Sequence, residues 1–234
     1  MREMLVLNDP ARAAAERLAR AASAGGHVAL AGGSTPRAAY EQLAGMEVDW
    51  SRCTIWFGDE RCVPPDDDRS NFAMVQKALL DGLSRSAPDV RRIKGERGPQ
   101  GGADSYEDEL RAAFAGRPPA FDLVLLGLGP DAHCASLFPD HEALEERRRL
   151  AVGVDHPSLA PLVPRVTLTL PALNAARDVL FLVTGEEKAM AVRRAFSGRP
   201  SSSAPASLVR PSSGRLTVLL DAAAAAHTST ADRS

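Results

Sequence analysis

The stretch from Phe121 to Pro139, FDLVLLGLGPDAHCASLFP, decides how this chain folds. Its first part, FDLVLLGLG, is apolar without alternation, the pattern of a strand buried on both faces in the middle of a parallel α/β sheet. Gly127, Gly129 and Pro130 then break the strand, so the chain turns at a strand's carboxyl end, where α/β folds collect their ligands. Asp131 and His133 are carried to that mouth. Taken alone, Asp131 reads as a turn former and His133 as an ordinary polar loop residue.

Outward from this stretch, the same rhythm repeats. MLVLND reads as a strand, and PARAAAERLARAASAGG as a helix with Pro10 in its first turn and Gly25-Gly26 at its end. HVALA is a second buried strand that runs into GGSTP and an amphipathic helix, RAAYEQLAG. At that junction Gly32 and Gly33 allow a tight turn, Ser34 and Thr35 offer hydroxyls and a cap, and Pro36 suits the first helical position. The free amides of such a helix start attract an anion, phosphate above all, although a plain N-cap has the same chemistry. No lysine follows as in a nucleotide-binding P-loop.

CTIWFG is a third strand, ending in Asp59-Glu60-Arg61. Arg61 is either the ion-pair partner of Asp59 or an anion clamp whose planar fork suits phosphate or carboxylate. Asp66 to Asp68 lack the spacing, glycine and terminal glutamate of an EF-hand loop. Asp68 or Ser70 caps the next helix. GERGPQGG reads as a mobile surface loop before a helix in ADSYEDELRAAFAG, and His141 to Arg149 as a charged, solvated helix. PRVTLT, VLFLVTG and RLTVLL are further strands. VLFLVTG again ends in glycine before a helix, and puts Lys188 in that helix's first turn, where the macrodipole disfavours a cation unless an anion binds.

The whole reads as α/β, with a mostly parallel sheet and helices on both faces, in one domain over residues 1–226 and an unstructured tail over 227–234. Two hundred and thirty-four residues are enough for one large core. The net charge of −2, with both signs interspersed, argues against a nucleic-acid partner. Lysine occurs only at Lys77, Lys94 and Lys188, which makes Lys188 at a strand end less ordinary. Cys53, Cys62 and Cys134 show no metal-ligand spacing and fit reduced thiols. No run approaches the roughly 18 apolar residues of a membrane span. A cytoplasmic protein, monomeric or weakly dimeric, is the expectation.

At GGSTP, FGDER, GLGPDAHCASLFP, PRVTLT and VTGEEKA together, and in that order, the chain resembles the 6-phosphogluconolactonase family, in the superfamily that also holds glucosamine-6-phosphate deaminase. The resemblance implies a doubly wound, Rossmann-like three-layer fold and hydrolysis of a small sugar-phosphate lactone without metal or organic cofactor. It implies His133 as general base with Asp131 beside it, and phosphate held by Gly32, Gly33, Ser34, Thr35, Arg61, Arg165 and Lys188. Either Asp131 or a main-chain carbonyl sets the histidine tautomer, and either the amides of Gly127 to Gly129 or Arg61 stabilises the oxyanion.

Two residues depart from the family's Asp-Gly-His-Thr: Ala132 and Cys134. An alanine at that position is expected to keep a φ that alanine tolerates. Cys134 is a poor candidate nucleophile, since adjacent residues seldom point at one another. Two other readings stand beside the lactonase. Deaminase-type chemistry resembles this site but uses a glutamate five positions after the histidine, and here that position is Phe138. A non-catalytic sugar-phosphate sensor would commonly carry a DNA-binding segment, and none is visible.

Overall fold

The structure is a computed structural model describing residues 2–83 and 86–228. In chain order its strands and helices are β1 (Arg2–Val6), α1 (Pro10–Ser23), β2 (His27–Leu30), α2 (Ser34–Ala44), β3 (Thr54–Phe57), β4 (Asp59–Arg61), α3 (Asn71–Ala78), β5 (Asp89–Val90), α4 (Gly98–Ala113) and β6 (Leu123–Leu126). There follow β7 (Ala151–Val154), β8 (Arg165–Leu168), α5 (Leu170–Asn174), β9 (Asp178–Val183), α6 (Ala189–Phe196) and β10 (Arg215–Leu220).

Seven strands form one sheet in the order β1-β10-β9-β6-β2-β3-β5, and every pair in it is parallel. The apolar run of the opening stretch is β6, the middle strand. All four of its residues and all six of β9 are buried, so both faces of the sheet are covered, as continuous apolar runs require. From β2 the chain goes outward to β3 and β5, and from β6 it goes outward the other way to β9 and β10. The adjacent carboxyl ends of β2 and β6 are therefore the switch point of a doubly wound sheet, where a crevice opens.

A second, antiparallel sheet, β4-β8-β7, corrects the picture of a single alternating sheet. PRVTLT contributes β8 to this smaller sheet, pairing Arg61 with Arg165 across β4 and β8. The glycine-rich segment expected as a loop is the start of α4, which begins at Gly98 with Pro99 in its first turn. Gly102 serves packing: a Cβ there would stand 3.0 Å from both Lys94 O and Val166 Cγ2. The charged helix expected over 141–149 is only a 3₁₀ turn, Glu142–Glu145. Beyond it the Glu146 carboxylate accepts from the N–H groups of Arg147, Arg148 and Arg149, and Arg149 turns in to pair with Glu107 and Asp104. Those contacts cannot be made by a continuous helix.

Of the expected tail, His227 and Thr228 close a last turn in which Thr228 Oγ1 donates to Ala225 O; residues 229–234 lie outside the described residues. Among the described residues no helix is long and apolar enough to cross a membrane.

Candidate active site

After β6 the chain makes a tight loop. Gly129 N–H donates to His133 O at 2.8 Å, and Ala132 N–H to Gly129 O at 3.0 Å. Asp131 Oδ1 lies 2.6 Å from His133 Nδ1 and also accepts the His133 N–H at 3.1 Å. An ionised carboxylate only accepts, so Nδ1 carries the proton and Nε2 keeps its lone pair in the neutral ring. Asp131, not a main-chain carbonyl, makes this contact. Burial pushes the Asp131 carboxyl up, but the hydrogen bonds from the histidine and its charge outweigh burial and hold it below the usual carboxylate range. The ring lies so close over the loop that a Cβ at Gly129 would stand 2.0 Å from Nδ1. Glycine at 129 is what lets the imidazole sit there.

Ala132 contradicts its expectation: its φ is +70°. The chain must reverse within four residues to bring His133 O back to Gly129 N–H, and the left-handed conformation at 132 makes that reversal. A left-handed alanine costs about 1–2 kcal/mol. Its methyl is fully buried, which returns about 0.8 kcal/mol, and the residue does not line the cleft described below. Glycine's extra unfolded-state entropy, about 0.4–1 kcal/mol, offsets most of what remains, so Ala132→Gly is expected to stay within about 0.5 kcal/mol of wild type in chemical denaturation, with kcat/KM changed less than about twofold; a loss above about 1 kcal/mol would show that the buried methyl dominates. Cys134 is buried, and burial pushes its thiol far above neutrality, so no thiolate is available there for attack.

Across the switch point, β2 ends at Leu30 and α2 begins at Ser34, with Gly33 (φ +107°) as a cap that uses no side chain. Helix α2 thus starts two residues earlier than Pro36 suggested, and the hydroxyls do not cap it. Thr35 Oγ1 instead hydrogen-bonds Thr184 Oγ1 at 3.1 Å. The first-turn N–H groups have no intrahelical acceptor. Gly32 is required by a neighbour far along the chain: a Cβ there would fall 1.8 Å from Asn71 Oδ1.

Asn71 is fixed by the acids after β3. The Glu60 carboxylate, 3% exposed, accepts from the N–H groups of Arg61, Asn71 and Phe72 and from Ser70 Oγ, which seats the start of α3. Ser70 is that helix's N-cap. Burial raises the Glu60 carboxyl above its ordinary range despite these four donors. Asp59 accepts from Asn71 Nδ2 at 3.0 Å and from Ser136 Oγ at 2.6 Å, so it ties the α3 start to the histidine loop.

Arg61 is not Asp59's ion-pair partner. Its Nη1 donates to Arg69 O, and its Nε is buried without an acceptor. Arg165 is 3% exposed. Its Nη2 donates to Leu159 O and Pro161 O, and its Nε is also buried without an acceptor. Burial lowers its pKa, with Asp59 acting against that and Arg61 adding to it. Two buried guanidinium donors with unused N–H groups are a strong demand for an anion. Lys188 stands at the N-terminal end of α6, after a turn held by Gly185 N–H on the Asp221 carboxylate.

These groups share one cleft of about 320 Å³. Gly32, Gly33, Ser34, Thr35, Arg61, His133, Arg165 and Lys188 all line it; Asp131 stands behind His133. Asp59, Asn71 and Glu187 line it as well, and the sequence did not single them out as site residues. Asp59 had a usable signal, an acid at a strand end. Asn71 and Glu187 had none that composition or spacing could reveal.

Residues 5–218 match the family described as glucosamine-6-phosphate isomerases/6-phosphogluconolactonase. A 6-phosphogluconolactonase of Streptomyces coelicolor is 41% identical, over 92% of this chain and 89% of the relative. The solved structure of 6-phosphogluconolactonase from Trypanosoma cruzi superposes with a TM-score of 0.85 at 29% identity, covering 98% of this chain and 97% of that one. A monomeric glucosamine-6-phosphate deaminase gives a TM-score of 0.80 at 22% identity, over 97% and 99% of the two chains, a likeness of fold alone. With its doubly wound sheet, its histidine loop and a match running through most of its length, the chain belongs to the glucosamine-6-phosphate isomerase/6-phosphogluconolactonase family.

Proposed function

We propose that this chain hydrolyses 6-phospho-D-glucono-1,5-lactone to 6-phospho-D-gluconate, with His133 as general base and Asp131 fixing its tautomer. The observation that carries the reading is the placing of His133, backed by Asp131, in one cleft with the start of α2 and with Arg61 and Arg165, each of which has a buried Nε without an acceptor. A base and an anion site in one cleft suit a small substrate that carries both a reacting carbonyl and a phosphate. The relatives named as 6-phosphogluconolactonases support the same substrate.

In this reading His133 Nε2 takes a proton from water while the water oxygen bonds to C1. The carbonyl electrons move onto oxygen, and the resulting alkoxide needs a donor, for which Arg61 or the amides of Gly127 and Leu128 stand along the cleft, the Gly129 amide being taken by His133 O. Collapse breaks the bond between C1 and the ring oxygen, which leaves with the proton from His133 and becomes the C5 hydroxyl. The new carboxylic acid ionises to solvent. Phosphate is held by the first-turn amides of α2, with Ser34, Thr35, Arg165 and Lys188.

The deaminase reading lacks its acid, because position 138 is a buried phenylalanine. Three substrates test the proposal with the purified chain: the phosphorylated lactone, unphosphorylated gluconolactone and glucosamine 6-phosphate. Turnover is expected with the first, at much higher kcat/KM than the second. Ammonia release from the third, without lactone hydrolysis, would overturn the assignment.

A further inference from the structure

Phe138 is fully buried and does not line the cleft, yet it touches two of the groups that do. Its ring centroid lies 4.9 Å from that of the His133 imidazole, with the planes 43° apart. The guanidinium carbon of Arg165 lies 5.3 Å from the same centroid. Among the described residues the hydrogen-bond partners of Arg165 are all neutral: Ser136 Oγ, Leu159 O and Pro161 O. An aromatic face carries negative charge density and attracts a cation within about 6 Å of its centre.

When His133 takes the proton of the attacking water, the imidazolium and the Arg165 guanidinium share this one ring. Phe138 then has two effects on the base: its bulk fixes the plane of the imidazole, and its π-system favours the protonated form that the step creates. We propose that Phe138 is a positioning residue for the reaction, acting through His133 by holding the imidazole and stabilising its cation beside a buried arginine. The inference rests on His133 being the general base.

The charged groups around His133 are Asp131 behind it in its own loop and, along the cleft, Asp59 and Arg61 from β4, Arg165 from β8, and Glu187 and Lys188 from the turn after β9. The Cys134 thiol stays neutral because burial raises its pKa. An experiment must therefore change the ring's electronics and leave all of these in place. Replacing Phe138 by phenylalanines bearing one, two and five fluorines does so, since the shape is nearly kept while the π-face loses its negative charge.

In the unmodified enzyme kcat/KM is expected to show the low-pH limb of a general-base reaction; absence of that limb would count against the base itself. Across the fluorinated series the limb is expected to move progressively to lower pH, by about half a unit in total, because the imidazolium loses a stabilising contact. The rate above the limb is expected to fall in step, by up to about threefold. A limb that is present but stays fixed across the series would overturn the role of Phe138 while leaving His133 as base.

Discussion

His133→Ala is expected to lower kcat for the phosphorylated lactone by about two to four orders of magnitude, the usual size of a general-base contribution. The fold should survive, because the imidazole is seated by one carboxylate, one glycine and one ring, and the loop's main-chain bonds from Gly129 and Ala132 do not involve it. KM should change little, since the phosphate contacts proposed for this chain do not include the histidine. Circular dichroism and thermal unfolding check the fold, and steady-state kinetics the rate. A loss below about tenfold with an unchanged pH profile would mean that another group activates the water.

The second large effect is expected at the phosphate. Lys188→Ala removes a half-buried ammonium at the start of α6, where the main chain is held by Gly185 and Asp221 without help from the lysine side chain. Charge-assisted hydrogen bonds are worth about 1.5–3 kcal/mol, so KM should rise about 10- to 100-fold with kcat nearly kept. Unphosphorylated gluconolactone supplies the control, because its turnover should be insensitive to the change. Equal losses on both substrates would remove Lys188 from the phosphate site. Arg165→Ala should show the same preference for the phosphorylated substrate together with a loss of stability, since it also empties a buried position beside Phe138.

The parts of this molecule that were legible in its sequence are those written in local pattern. The unbroken apolar run of β6 and the glycines after it announced a central strand and a loop at its carboxyl end, and the same device recurs at Gly32 and Gly185. Long-range contacts were not legible. Nothing near Gly98 says that Gly102 will pack on Val166, so composition favoured a loop where tertiary packing makes a helix. Strand β4 is three residues long and charged, too short for any periodicity, and its smaller sheet went unread with it. Arg147 to Arg149 looked like a helix face, but the Glu146 carboxylate and the pairs to Glu107 and Asp104 bend that segment another way.

The site divides along the same line. Local chemistry pointed to Arg61, Lys188 and the Gly32–Thr35 turn, the family resemblance added His133, Asp131 and Arg165, and the fold carries all but Asp131 to the wall of one cleft. Asn71 reaches it because Glu60 seats the start of α3, a relation across eleven positions that spacing does not reveal. Ala132 shows the reverse failure: a preference for ordinary φ is sound for alanine in general and wrong here, because the loop closing on His133 requires the reversal.

In the proposed reaction this chain opens the phosphorylated lactone with water that His133 activates for attack on C1. The most direct test generates the lactone in place by enzymatic oxidation of glucose 6-phosphate and follows its decay by NMR, with wild-type chain, with His133→Ala and with buffer alone. Catalytic amounts of wild type are expected to convert the lactone to 6-phosphogluconate one for one, far faster than the spontaneous reaction, while the variant stays near background. Decay at the buffer rate with the wild-type chain would contradict the proposed reaction.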